Sequence, residues 1–256
     1  MRSKRTRLDR FISKKTGVNR RDVRALLAQR RIVVDGFPAT EISHIIDEFS
    51  QVTFDDRVLQ DNTPNYVMMN KPAGVVSATK DERHKTVVDL LERPDRHHLH
   101  IVGRLDFNSS GLLLLTNDGR WSRQLTTPEN KIAKLYRVTL EKPVTEDYIQ
   151  AFLEGMYFPF EDITTRPATL HIVSDHVAEV SLMEGRYHQI KRMFGRFDNE
   201  VLTLHRPSIG NLSLDSSLAP GQSRDLTNRE VTHIFPLANP SNLELGLNEA
   251  ALPSGQ

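Results

Sequence analysis

The sequence contains no cysteine among its 256 residues. Disulfide bonds, thiolate nucleophiles and cysteine-ligated zinc sites are therefore excluded. There is also no apolar run near the roughly 20 residues that span a bilayer. The basic N-terminal segment MRSKRTRLDR is not followed by the apolar core that a secretory signal requires. With 38% hydrophobic and 26% charged residues, we expect a soluble, cytoplasmic protein with no membrane partner.

Several motifs for nucleophilic catalysis or for the binding of cofactors or metals are missing as well. No Gly-rich phosphate loop occurs, and Ser109-Ser110-Gly111 lacks the G-x-S-x-G arrangement of a nucleophilic serine. Histidines 97, 98 and 100 lie close together, but without cysteines or H-E-x-x-H spacing they do not indicate a zinc site. The prediction is a protein that uses neither a metal nor a cofactor.

Positive charge is concentrated at the N-terminus. The whole chain carries a net charge of +1, but residues 1–31 hold twelve Lys and Arg and only two acids. That segment therefore carries +10, and the remainder of the chain carries −9. Clustered Lys and Arg are suited to phosphate contact, so the pattern predicts a polyanionic partner such as RNA. The alternative is a solvated basic face without a ligand.

The basic segment has the pattern of two short helices and a hairpin. A helix is predicted over residues 8–16, ended by Gly17. Asn19 is the expected N-cap of a second helix. The outer face of this second helix carries three arginines: Arg20, Arg21 and Arg24. Asp35-Gly36 then predicts a hairpin turn between two short strands.

The rest of the chain mixes strand and helix patterns. Helices are predicted over residues 87–92 and 145–155, and strands at five apolar or alternating segments: 66–70, 111–117, 135–140, 168–173 and 176–184. Because no repeating βαβ pattern occurs, we expect an α+β fold with a mixed or antiparallel sheet. The predicted organisation is a small domain, a linker, a larger domain and a disordered tail: 1–60, 61–65, 66–235 and 236–256.

Four segments combine polar side chains with predicted turns or strands: MNKPAGVVSAT (69–79), GRLDFNSSGLLLLTNDG (103–119), KLYRVTL (134–140) and EGRYHQIKRMF (184–194). In the second segment, four leucines predict a buried strand, so Asp106 should lie in a loop at the rim of the core. A carboxylate beside Arg104 in such a loop either forms a salt bridge or takes part in chemistry.

The other three segments also allow two interpretations each. Lys71 lies in a Lys-Pro-Ala-Gly turn, which is either a plain structural turn or brings a lysine to an anion. Tyr136 is either a core aromatic or a surface on which a base stacks. The helix predicted after Gly185 carries Lys191 and Arg192, either as a solvated basic face or as the cation that keeps a carboxylate ionised.

In their order and amino-acid sequence, the four segments resemble the motifs of the pseudouridine synthases, in the branch that acts on the small ribosomal subunit. The resemblance covers roughly residues 7–232, and two more segments, 163–170 and 206–227, also look like this branch. The N-terminal unit resembles the S4 RNA-binding domain. The resemblance therefore implies an α+β protein with a small S4-like RNA-binding domain and a larger catalytic domain.

The resemblance also implies roles for individual residues. Asp106 matches the catalytic aspartate and Tyr136 matches the aromatic residue that stacks on the base. The basic partner of the aspartate falls on Lys191 or Arg192. RNA contacts are expected from six further residues: Arg20, Arg21, Arg24, Lys71, Arg104 and His188.

The predicted function is the isomerisation of one uridine of ribosomal RNA to pseudouridine, after the nucleotide has been flipped out of its stack. The favoured partner is 16S rRNA, either free or in an assembling small subunit, and the expected state is a monomer. Two alternatives stay open at this point: a synthase that acts on 23S rRNA, and a catalytically silent RNA-binding protein of the S4 type.

Overall fold

The computed structural model describes residues 5–236, so the basic residues before position 5 and nearly all of the predicted tail lie outside the described residues. The N-terminal part contains two helices and six short strands: β1 (Thr6–Arg7), α1 (Leu8–Thr16), α2 (Val23–Ala28), β2 (Ile32–Val34), β3 (Phe37–Pro38), β4 (Ile45–Ile46), β5 (Val52–Phe54) and β6 (Arg57–Gln60). Helix α1 and its termination at Gly17, which has a φ of 78°, are as predicted. The hairpin turn is confirmed too, with positive φ at Asp35 and Gly36.

The second helix begins later than predicted. The side chain of Asn19 accepts a hydrogen bond from the Arg21 amide (3.2 Å), and its carbonyl accepts one from the Asp22 amide (2.9 Å). Asn19 therefore closes a turn, and α2 starts only at Val23. The buried side chains of both helices and of β2 and β5 form a separate hydrophobic cluster.

Residues 66–236 contain four α-helices and eleven strands: β7 (Tyr66–Lys71), β8 (His100–Val102), β9 (Ser109–Thr116), α3 (Gly119–Thr126), β10 (Lys134–Leu140), α4 (Glu146–Glu154), β11 (Tyr157–Phe158), β12 (Ile163–Thr164), β13 (Thr169–Ser174), β14 (Val177–Leu182), α5 (Gln189–Gly195), β15 (Val201–Ile209), β16 (Leu212–Ser213), β17 (Ser223–Asp225) and α6 (Asn228–His233). Two short 3-10 helices, Arg96–His98 and Pro128–Asn130, lie between them. The five predicted strands and the helix over 145–155 are confirmed. In the described part of the chain, no helix is long and apolar enough to cross a bilayer.

The helix predicted over residues 87–92 is wrong, because this segment forms a turn. The Thr86 amide and hydroxyl both donate to Asp89 Oδ2 (2.9 and 2.8 Å), and the Asp89 amide donates to Thr86 Oγ1 (3.2 Å). Such side-chain bonds to the backbone offer an alternative to helical hydrogen bonds. Val87, Val88 and Leu91 are nevertheless buried. The hydrophobic pattern therefore indicated burial correctly, although the predicted conformation was wrong.

The central sheet is mixed, which confirms the predicted α+β class. Its strand order is β13-β14-β10-β15-β9-β7-β17, with β16 paired to β15 and β8 paired to β9. All of these pairs are antiparallel except β9 with β15, which run parallel. This parallel pair brings the beginning of β9, where the second motif lies, beside the middle of β15.

The run of four leucines in β9 is buried on both faces of this sheet. Leu112 and Leu114 belong to one hydrophobic cluster, together with Trp121 of α3. Leu113 and Leu115 belong to the other, with residues of α4 and α5. Side chains alternate along a strand, so a continuous apolar run requires a covered sheet on both sides. The strand is thereby fixed from both faces, and the loop before it starts from a rigid base.

Gly111 is the residue that lets β9 and β15 approach each other. It has a φ of +106°, and a Cβ at this position would lie 2.6 Å from the Arg206 backbone nitrogen and closer still to the Arg206 carbonyl oxygen. Neither atom belongs to a flexible side chain. Only glycine therefore fits this point of contact between the two strands.

We predict that Gly111→Ala lowers the free energy of unfolding by roughly 3 kcal/mol, through backbone strain and the steric clash with β15. Urea unfolding followed by the fluorescence of Trp121 measures this change. Gly119→Ala is the matched control, because a Cβ at position 119 meets no atom of the described residues within 4 Å. Equal stability of the two variants would contradict the steric requirement.

Candidate active site

A cavity of about 410 Å³ lies where the loop before β9, the start of β10, the segment before α5 and the middle of β15 meet. Five of the ten residues singled out in the sequence line it: Arg104, Asp106, Tyr136, His188 and Lys191. The structure therefore brings three of the four sequence motifs to one cavity.

The loop that carries Asp106 is held by the turn of the first motif. The Gly74 amide donates to the Phe107 carbonyl (2.8 Å). On the N-terminal side of Asp106, Ser77 Oγ donates to the Leu105 carbonyl (2.6 Å) and accepts from the Leu105 amide (3.1 Å). Both neighbours of Asp106 are thus fixed, while the Asp106 side chain remains 31% exposed to the cavity and solvent.

Lys71 lies beneath this loop and not on a surface that RNA can reach. Its side chain is fully buried. The ammonium donates to four backbone carbonyls, those of Pro72 (2.9 Å), Asp106 (3.1 Å), Phe107 (3.4 Å) and Ser109 (2.7 Å). Burial lowers the pKa of Lys71 to about 8, and the nearby Asp106 carboxylate opposes this shift. The sequence prediction of an RNA contact at Lys71 has no exposed surface to support it.

The carboxylate of Asp106 has His188 as its nearest basic group. Within the described residues, His188 is the one basic side chain within 4.0 Å of it, with Nε2 3.5 Å from Asp106 Oδ2. The His188 backbone is in the left-handed region (φ 50°, ψ 30°) immediately before α5. Its ring stacks on the exposed ring of Tyr187 at 3.9 Å between centroids. These two rings form one wall of the cavity.

Lys191 and Arg192 point in different directions. Lys191 lines the cavity with Asp106, although no ion pair within 4.0 Å joins the two among the residues that the structure covers. The guanidinium of Arg192 binds both carboxylate oxygens of Glu161 and lies 3.8 Å from the ring centroid of Phe158. Arg192 is therefore engaged outside the cavity.

The segment before α5 is fixed by a buried carboxylate. Glu184 is 4% exposed. One of its oxygens accepts from the Arg166 amide (2.9 Å) and from Gln189 Nε2 (2.8 Å), and the other accepts from Arg186 Nε (3.0 Å). Gln189 in turn accepts from the Arg186 amide (3.1 Å). This network positions the two rings at the cavity wall.

The three arginines of the basic segment surround a separate concavity on the N-terminal unit. Arg20, Arg21 and Arg24 line it together with Asp9. Asp9 is 4% exposed, and Arg20 Nη2 lies 2.9 Å from its Oδ2. These arginines do not take part in the Asp106 cavity.

The comparisons with known proteins agree with this geometry. Residues 65–195 match the family described as RNA pseudouridylate synthase. The ribosomal small subunit pseudouridine synthase A of Pseudomonas aeruginosa is 47% identical over 229 residues, which is 89% of this chain and 100% of that protein. The protein of the same name from Escherichia coli K12 is 39% identical, covering 89% of this chain and 99% of that protein.

The chain belongs to the RNA pseudouridylate synthase family. A solved pseudouridylate synthase structure has 37% sequence identity and a TM-score of 0.65, and the match covers 89% of this chain and 99% of that one. The described part of this synthase therefore follows a known member of the family over most of its length.

Several residues of the synthase cavity were not singled out in the sequence. Lys134, Arg206 and Ser109 line it, as does Tyr187. All four lie in segments that resemble the family in sequence, but their spacing did not distinguish them from neighbouring polar residues. Tyr136 is 8% exposed, and its hydroxyl accepts a 3.4 Å hydrogen bond from Arg206 Nη1. That contact joins positions 70 residues apart in the chain.

We predict that Lys71→Met destabilises the synthase by about 1–3 kcal/mol, because the four backbone carbonyls that the Lys71 ammonium binds lose their donor. The turnover number should fall as well, since the loop would no longer be held. Thermal unfolding and pseudouridine formation per minute are the two measurements. Lys142→Met is the control, because the Lys142 side chain is exposed. A Lys71→Met enzyme with the stability and turnover of this control would contradict the role given to the buried ammonium.

Proposed function

We propose that this chain isomerises a uridine in the RNA of the small ribosomal subunit, 16S rRNA, to pseudouridine. The names of its relatives, of which it covers nearly the whole length, support this substrate. The observation that carries the proposal is the cavity itself, where a partly exposed carboxylate meets an aromatic residue and several basic groups. Its volume of about 410 Å³ lies in the range of small-molecule sites.

In this proposal, the target nucleotide is flipped out of the RNA stack, at a cost of a few kcal/mol. Asp106 acts at the ribose, either as the nucleophile at C1′ or as a base. The C1′–N1 bond breaks, the uracil turns beside Tyr136, and a C1′–C5 bond forms. Because the product is an isomer of the substrate, the reaction consumes no second substrate, and the proposal includes no cofactor or metal.

We assign the basic partner of Asp106 to Lys191 and not to Arg192. Lys191 lines the same cavity, whereas the Arg192 guanidinium is already bound to Glu161. His188, 3.5 Å from the carboxylate, orients it and contacts the RNA. Arg104 is exposed beside the cavity and contacts a phosphate of the flipped nucleotide.

The N-terminal unit, residues 1–60, serves as an S4-like RNA-docking domain, joined by residues 61–65 to a catalytic domain over 66–235. Its separate hydrophobic cluster supports this division. Three arginines around one concavity supply the phosphate contacts. We further propose that the protein acts as a cytoplasmic monomer on RNA of an assembling small subunit.

We predict that Asp106→Asn abolishes pseudouridine formation while RNA affinity changes less than about twofold, because the carboxylate acts on the ribose and not in docking. RNA carrying C5-tritiated uridine measures this, since C5–H is lost in the isomerisation. Asp175→Asn, at an exposed turn, is the control. Tritium release by Asp106→Asn at the control rate would overturn the assignment, and no release by the unmodified protein would overturn the function.

A second prediction concerns docking. Replacing Arg20, Arg21 and Arg24 with alanine should weaken RNA binding and reduce the slope of log K against log salt by about 2 to 3, which is about one for each phosphate that the variant no longer neutralises. Binding titrations at four salt concentrations measure the slope. The charge-matched control replaces three exposed arginines of the larger unit: Arg137, Arg196 and Arg229. If both triple variants change the slope equally, net charge accounts for the effect and this docking face is wrong.

A further inference from the structure

Arg206 is a buried guanidinium that has no carboxylate partner in the part of the chain that the structure describes. It is 3% exposed, and all its hydrogen-bond acceptors are neutral: the Leu112 carbonyl (2.9 Å), the Arg104 carbonyl (3.4 Å) and the Tyr136 hydroxyl (3.4 Å). Its Nη2 is buried and has no hydrogen-bond partner among residues 5–236. A buried charge is normally paired, because removal from water is expensive. An uncompensated one in a cavity wall therefore indicates a ligand that carries negative charge.

The fold gives this guanidinium a fixed position. Arg206 pairs with Gly111 in the parallel β9–β15 contact, where the missing side chain of Gly111 lets the two backbones approach. The guanidinium carbon lies 5.8 Å from the ring centroid of Tyr136. Arg206 is thus held beside the residue on which the uracil is proposed to stack.

Lys134 adds a second positive group to the same wall. It is half-buried at the start of β10 and lines the cavity. Burial lowers the pKa of Lys134 to about 8, and repulsion from Arg206 adds to this shift. Across the lining residues that the structure describes, the single carboxylate is Asp106, against five Lys and Arg side chains. The cavity therefore favours a negative charge located away from Asp106.

We infer that Arg206, assisted by Lys134, stabilises the uracil while it is detached from the ribose. The inference rests on the proposed function and names the residues that complement the leaving group. Preorganised donors and charges act most strongly where charge develops during the reaction. Arg206 also holds the Tyr136 hydroxyl, so it is a positioning residue as well.

The charge balance of the reaction requires such a group. The electron pair of the C1′–N1 bond leaves with the uracil. If Asp106 attacks C1′, its carboxylate becomes a neutral ester, and if it removes the proton on C2′, it becomes a neutral acid. In both routes the negative charge passes from Asp106 to the uracil, where N1, O2 and O4 share it.

The second half of the reaction returns that charge. C5 of the uracil bonds to C1′, and the carboxylate is regenerated as the ester bond breaks or as the proton goes back to C2′. C5 then loses its proton and N1 gains one, so no atom is gained or lost. The positive wall is needed only while the uracil is detached.

The test compares Arg206→Gln with Arg206→Lys under single-turnover conditions with saturating enzyme. We expect Arg206→Gln to slow conversion about 100-fold, Arg206→Lys to recover much of this loss, and Lys134→Met to slow it about 10-fold. RNA affinity should stay within about twofold, because the effect belongs to the transition state. Arg137→Gln, which removes an exposed arginine next to Tyr136, should react at the unmodified rate.

A substrate with 5-fluorouridine at the target separates charge stabilisation from damage to the fold. Fluorine withdraws electrons and stabilises the uracil anion. The rate loss caused by Arg206→Gln, measured as disappearance of the target nucleoside, should therefore be at least about 10-fold smaller on this substrate than on uridine. An equal rate loss on both substrates, or equal defects in Arg206→Gln and Arg206→Lys, would overturn the inference. Should Arg206→Gln fail to fold, the half-buried Lys134→Met variant decides by the same comparison. If the unmodified protein forms no pseudouridine, the proposed function itself fails.

Discussion

The buried ammonium of Lys71 is the constraint on which the site depends. Burial of a charged group is costly unless its donors are satisfied. Lys71 meets this requirement with four carbonyls that belong to the Asp106 loop and its own turn. Loop and lysine therefore hold each other, and the Asp106 side chain is left facing the cavity. The Lys-Pro-Ala-Gly turn therefore supports the site by fixing the backbone of the Asp106 loop.

The second constraint is the contact between β9 and β15. It places Arg206 in the cavity wall, where Arg206 Nη1 also donates to the Arg104 carbonyl of the Asp106 loop, and it depends on the absence of a side chain at Gly111. A third is the buried Glu184, which organises the segment before α5 and so the His188 and Tyr187 rings. The result is one carboxylate in a cavity with an excess of positive charge, an arrangement suited to moving negative charge off that carboxylate and onto a bound base.

The sequence predicted those parts of the fold that local patterns control. The β9 leucines and the alternation around Tyr136 indicated strands correctly, because strand periodicity reports burial directly. The segment 87–92 failed because Thr86 and Asp89 close a turn with side-chain bonds that hydrophobic periodicity does not register. Helix α3 was not predicted, although the Asp118 side chain at the end of the second motif caps it.

The candidate site residues could be predicted only where a sequence motif matched a motif of the family. Arg206 reaches Tyr136 through pairing of strands far apart in the chain, so nothing in its neighbourhood marked it. For Lys71, the position after a strand did not show whether the ammonium points inward or outward. In both cases the deciding contact is tertiary. Local sequence therefore indicated which segments form the site, whereas the pairing of β9 with β15 determines which of their side chains are in contact.

The most direct test is a crystal structure of the Asp106→Asn protein bound to a small-subunit rRNA fragment that contains the mapped target uridine. We expect that uridine to be extruded into the cavity, with C1′ beside position 106 and the uracil stacked on Tyr136, with its oxygens toward the Arg206 guanidinium. RNA bound with every base stacked and the cavity empty, or a uracil on the far side of the loop from Arg206, would contradict the account.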